Sequence, residues 1–99
     1  MPTKFNVKSS FFFKKNDYET VIDGNTLKMT SKTAKGVKET FDDLKSKGCD
    51  VKMIGDRSIL QTLEGRKEKE IIEKMRSDLD AAVATAVWPI KMSYEEVKE

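Results

Sequence analysis

Three groups of side chains in this sequence are of types that could do chemistry: the lone cysteine Cys49, the carboxylates Asp42 and Asp43 in "FDDLK", and the glycine turn "IGDRS" at 54–58. None of them assembles into a catalytic set. The chain has no histidine, so the commonest general base is absent and Cys49 lacks its usual activating partner. A small hydrophobe in a strand just after a helix stop accounts for Cys49 better than a nucleophile does. Asp42 and Asp43 are helix neighbours, pointing about 100° apart, so they do not converge on one proton or cation. A single glycine makes "IGDRS" a plain turn before it makes it a phosphate cradle. No Walker loop, dinucleotide fingerprint or paired-cysteine zinc spacing occurs. The expectation is a protein without enzymatic activity, cofactor or metal.

Lysine and phenylalanine carry the remaining signal. Net charge is only +2, but residues 1–38 hold eight lysines against Asp17, Glu19 and Asp23, which gives +5. Residues 39–99 hold eleven basic and fourteen acidic side chains, which gives −3. Such asymmetry bears on partners, not on fold. Only three of the nineteen basic residues are arginine. That weighs against base-specific DNA readout, which favours the forked guanidinium, and leaves phosphate attraction open. Inside the basic third, "SSFFFKKNDY" sets three phenylalanines in a row, whereas a half-buried strand wants apolar side chains at alternate positions.

The elements that must position these groups follow from periodicity. Residues 4–14 alternate, with Phe5, Val7, Ser9, Phe11 and Phe13 on one face. Asn16-Asp17 suits a two-residue hairpin turn, "YETVID" (18–23) a second strand, and Gly24-Asn25 a type II′ turn leading to a third strand, 26–31. These turns set Phe13 opposite Thr20 and Phe11 opposite Ile22, with Ile22 then opposite Leu27 and Thr20 opposite Met29. The other face would carry Phe12 beside Val21 and a cross-strand ion pair, Lys14 with Glu19. A helix over 33–48, capped by Ser31 or Thr33 and ended by Gly48, presents Ala34, Val37, Phe41 and Leu44. Residues 49–54 read as a short strand, and 58–64 as either helix or strand. A long helix over 66–87 carries the stripe Ile71, Met75, Leu79, Ala82 and Ala86, widened by Ile72, Val83 and Val87, with a favourable Glu70–Lys74 pair. Pro89 stops it, and "SYEE" in the tail, 88–99, has the spacing of a capping box for a short terminal helix.

The whole, 1–99, reads as one α+β domain. Its parts are a three-stranded antiparallel meander over 1–32, a helix, a short fourth strand, and a long C-terminal helix packed on one sheet face. No apolar run approaches the ~18 residues of a membrane span, and the N-terminus lacks a signal-peptide stretch. A single cysteine suits a reducing, cytoplasmic setting.

On this reading the outer sheet face is the binding surface, made of Lys4, Lys8, Phe12, Lys14, Val21, Lys28 and Lys32 with hydroxyl neighbours. It suits an accessory or inhibitor-type protein, of viral or mobile-element kind, that binds an acidic or phosphate-bearing macromolecule, most naturally another protein. Direct binding of nucleic acid or a nucleotide by stacking on Phe12 is the alternative. No membrane partner is expected. Self-association is left open, through the sheet face or the apolar helix end, 79–88.

Overall fold

The computed structural model describes residues 2–31 and 34–98. Its elements are β1 (Thr3–Phe11), β2 (Lys14–Lys15), β3 (Tyr18–Asp23), β4 (Thr26–Ser31), α1 (Ala34–Ser46), β5 (Asp50–Met53), β6 (Ser58–Thr62), α2 (Glu68–Thr85) and β7 (Ile90–Lys98). The fold is α+β, as the sequence implies. The strands make one antiparallel sheet, ordered β7-β1-β3-β4-β6-β5, with β2 continuing the β3 side of β1.

Both helices lie on one face. Ile71 and Leu79 of α2 are buried against Phe5, Val7 and Ile22. Leu44 of α1 shares a groove with Ile71 and Met75 of α2, floored by Leu27 and Gln61 of the sheet. Val37 of α1 is fully buried, and so nearly are Val51 and Ile59. Alternation places Thr3, Phe5 and Val7, then Thr20 and Ile22, on this covered face. The opposite face has no helix over it among the described residues.

Two predicted devices are built as the sequence implies. Gly24 has φ 62° at the first position of the β3–β4 turn, and Ile22 pairs with Leu27 and Thr20 with Met29. At the end of α1, Gly48 has φ 79°. Its N–H donates to the Lys45 carbonyl and that of Cys49 to the Leu44 carbonyl, both at 3.0 Å. This double bond pattern satisfies carbonyls that the helix end would leave orphaned.

Other expectations are resolved or corrected. Residues 58–62, which the sequence leaves open between helix and strand, form a strand that pairs with both β4 and β5. The tail is not a helix: β7 pairs with the full length of β1, from Thr3↔Lys98 to Phe11↔Ile90. "SYEE" also alternates, and Met92, Tyr94 and Glu96 fall on the covered face opposite Ser9, Val7 and Phe5. The unpaired edge of β1, with its row of backbone donors and acceptors, outweighs a local capping preference. α2 then clamps β7. Arg76 Nε and Nη2 donate to Glu96 Oε1 and Oε2 at 2.8 and 2.9 Å, and the Tyr94 hydroxyl donates to Asp80. The hydrogen bonds from Arg76 hold the Glu96 carboxyl below its ordinary pKa and raise that of Arg76 itself. The bond to Asp80 raises the Tyr94 phenol, and burial raises that of Tyr18. Lys74 reaches Asp78 at 3.2 Å and not the expected Glu70. Thr33, one of the two expected α1 caps, lies outside the described residues, as does the side chain of Ala34. Ser31, the other, is the last residue of β4.

Candidate functional site

The first hairpin turns four residues earlier than the Asn16-Asp17 signal implies. Phe11 pairs with Lys14, so Phe12 and Phe13 are the two-residue loop. The register then runs unchanged from Ser10↔Lys15 to Val7↔Tyr18 and Thr3↔Ile22. Asn16 sits within the ladder: its N–H donates to the Ser9 carbonyl, and the Ser9 hydroxyl donates to the Asn16 carbonyl, both at 2.8 Å. Phe11 and Phe13 are therefore not opposite Ile22 and Thr20 and are not in the core. Phe11 is 55% exposed, Phe12 51% and Phe13 97%. Lys14 lies across from Phe11, so its expected pairing with Glu19 is not formed.

The loop has φ 57° at Phe12 and a negative φ at Phe13, the sign pattern of a type II′ turn. The same pattern at Gly24-Asn25 costs nothing, because glycine has no Cβ. At Phe12 it costs on the order of 1–3 kcal/mol. The second loop of the tip shares the load. β1 and β7 end together at Phe11↔Ile90, and the Phe12 N–H donates to the Pro89 carbonyl at 2.9 Å. The Phe12 ring meets Phe11 edge-on at 4.8 Å and Trp88 edge-on at 5.6 Å.

α2 contributes to this tip by stopping. It ends at Thr85, and Val87 and Trp88 emerge 70% and 74% exposed. Val87 thus does not widen the buried stripe. The expected apolar helix end divides: Leu79 is buried, Ala82 and Val83 are half-buried, and Ala81 and Ala84 face solvent. Phe11, Phe12, Phe13, Val87, Trp88 and Ile90 together form one convex apolar tip.

Charge around it is mostly of one sign, although Asp17 lines a groove together with Lys8, Lys15 and Lys91. The two segments that build the tip, 8–16 and 81–93, contain Lys8, Lys14, Lys15 and Lys91 and no carboxylate side chain. Lys15 and Lys91 flank Ser10 in one row behind the apex, and Lys8 lies two residues further back, opposite Ser93, in a groove it shares with Asp17, Glu19 and Glu95. None of these lysines has an ion-pair partner among the described residues.

The outer sheet face differs from the surface the sequence suggests. Lys4, Val21 and Lys28 do come together, in a row that runs Val97, Lys4, Val21, Lys28, Leu60, Lys52 across the sheet. Three lysines alternate with three aliphatics, an arrangement in which lysine stems cover apolar surface. Acidic groups stand on both sides. Asp23 and Asp50 flank the row at one side, Glu19 and Glu95 at the other, and Asn6 donates to Glu95 at 3.1 Å. Phe12 and Lys14 are not part of this row, and Lys32 lies outside the described residues. The suspected site therefore splits: a face of mixed charge holds Lys4, Val21 and Lys28, and a mostly basic aromatic tip holds Phe12 and Lys14, with Lys8 behind them beside Asp17.

Sequence reasoning missed Ile90, Lys15 and Lys91 at the tip, and placed Val87 and Trp88 on a separate surface for self-association, the helix end 79–88. The absence of acid from both 8–16 and 81–93 was a usable signal, but only the pairing of β1 with β7 shows that the two segments meet. No group of three or more potential metal ligands occurs among the described residues, and Cys49 is half-buried. Comparison with known protein families, curated proteins and solved structures gives no match.

Proposed function

We propose that this chain is a non-enzymatic, accessory or inhibitor-type binding protein that docks by its aromatic tip on an acidic or phosphate-bearing macromolecular partner. The observation that carries this reading is the tip itself. Six large apolar side chains stand exposed beside Lys14, Lys15 and Lys91, with Asp17 in the groove behind them, and a bulky residue holds a strained φ to present them. An exposed apolar patch of this kind marks an interaction surface, and strain kept by a bulky residue in a loop is a pointer to use. The Lys4–Val21–Lys28 row is the weaker candidate, because its acidic neighbours cancel its field. A reducing, cytoplasmic setting fits the single half-buried thiol, and among the described residues no helix is long and apolar enough to cross a membrane.

Three proteins test the proposal: the wild type, a tip variant, Phe13→Ser, and a face variant, Lys4→Gln/Lys28→Gln. Each is used to capture partners from native lysate, with and without nuclease. Docking by the tip predicts that Phe13→Ser loses what the wild type and the face variant both retain. The reverse pattern returns the site to the sheet. Loss of capture on nuclease treatment selects the second reading, direct nucleic-acid binding, for which the Phe12 and Trp88 rings offer stacking surfaces.

A further inference from the structure

The shape of the tip narrows the partner, on the premise that the tip is the docking site. Its apolar side chains come from a hairpin turn and the loop beside it. Phe13, at the apex, touches almost nothing in its own chain. A nucleic acid would engage the flat rings, but it offers no apolar matrix to Val87 and Ile90, which belong to the same surface. A folded partner would need a pocket to match a convex cluster. A lipid interface needs none, because acyl chains and headgroups close around whatever enters.

The spacing of apolar and basic groups fits that interface. Strands advance about 3.3 Å per residue, so the Lys15–Ser10–Lys91 row lies roughly 7 Å behind the turn. Interfacial elements bury their apolar side about 5–10 Å into the headgroup boundary. With Phe12, Phe13 and Trp88 at the acyl boundary, Lys14, Lys15 and Lys91 stand among the headgroups, and their flexible stems can adjust the depth. Tryptophan is a residue favoured at that level. Lys14, Lys15 and Lys91 outnumber Asp17 behind the tip, and that surplus of positive charge favours negatively charged headgroups.

We propose that the hairpin tip, Phe11 to Phe13 with Val87, Trp88 and Ile90, inserts peripherally into the surface of an anionic lipid bilayer, held there by Lys14, Lys15 and Lys91. This keeps the tip as the docking site but replaces the macromolecular partner proposed above by a lipid surface, and it departs from the sequence expectation of no membrane partner. That expectation concerned spanning segments, and none is invoked here.

Trp88 is the chain's single tryptophan, so its emission reports on the tip without labelling. The probes are phosphatidylcholine vesicles with and without phosphatidylserine, and in parallel a single-stranded oligonucleotide. The expected result is a blue shift of Trp88 emission and co-sedimentation with the phosphatidylserine vesicles only, both weakened by salt. Phe13→Ser, which removes a side chain the fold does not use, should weaken partition by about tenfold or more. Lys14→Gln/Lys15→Gln should weaken it on the order of tenfold. Vesicle binding that Phe13→Ser leaves unchanged overturns the proposal. So does an emission change with the oligonucleotide and none with vesicles, an outcome that keeps the tip as a docking site and changes its partner. A wild type that ignores both probes also overturns the lipid proposal, while the capture comparison above still decides whether the tip docks at all.

Discussion

At the scale of the residue, three adjacent phenylalanines meet one physical constraint and divide it unequally. Phe11 closes the ladder, Phe12 takes the positive φ, and Phe13 is left in solvent. Replacing Phe12 by alanine keeps the left-handed cost and loses the contacts with Phe11 and Trp88. Replacing it by glycine loses the same contacts but removes the cost, about 1–2 kcal/mol. Melting temperatures should therefore rank Phe12→Gly above Phe12→Ala, and the opposite order would mean that Phe12 does not hold a positive φ. Phe13→Ala should shift stability by less than about 0.5 kcal/mol, as exposed changes do. Phe5→Ala, at a fully buried position, should cost about 3–5 kcal/mol. Denaturant unfolding of this pair checks both magnitudes. The sequence shows the phenylalanines, the lysines and the strand parity. It does not show the turn, because Asn16-Asp17 is the better local turn former and phenylalanine at a positive φ is not something propensity foresees.

At the scale of the element, alternation and helical spacing revealed what they physically encode. The covered face of β1 at Phe5 and Val7, the Gly24-Asn25 turn, the Gly48 stop and the buried stripe of α2 were all legible. β7 was not, because its covered face, Ile90, Met92, Tyr94 and Glu96, ends on a charge that is out of place until Arg76 supplies a partner for it. That pair makes β7 sensitive to acid. The folded state holds the Glu96 carboxyl below its ordinary pKa, so its contribution is present above the unfolded value and lost as pH falls through the folded one. Glu96→Gln should flatten the fall in melting temperature over that acidic window relative to wild type. A wild type and variant with parallel pH profiles there would remove the pair as a determinant. The centre of α2 is tested more bluntly: Leu79 is buried, and Leu79→Ala should cost about 2–5 kcal/mol in denaturant unfolding.

At the scale of the whole molecule, the sheet gathers at one end what the sequence keeps far apart. Residues 11–13 and 87–90 meet only because β7 returns along β1, and no local pattern in either segment announces that meeting. This is why the basic third was legible as a charge and the tip was not legible as a place. It is also why the expected platform dissolved: the cross-sheet register adds Asp50 and Glu95, from distant segments, to Glu19 and Asp23 around Lys4 and Lys28. What remains is a molecule with one face covered by helices, one face of mixed charge, and one end that is apolar and mostly basic. The most direct test of that division is the accessibility of Trp88 to a neutral collisional quencher such as acrylamide, measured before and after the partner is added. The account predicts ready quenching in the free protein, where Trp88 is 74% exposed, and strong protection in the complex. A Trp88 already shielded in the free protein, or one quenched equally well in the complex, would contradict docking through the tip.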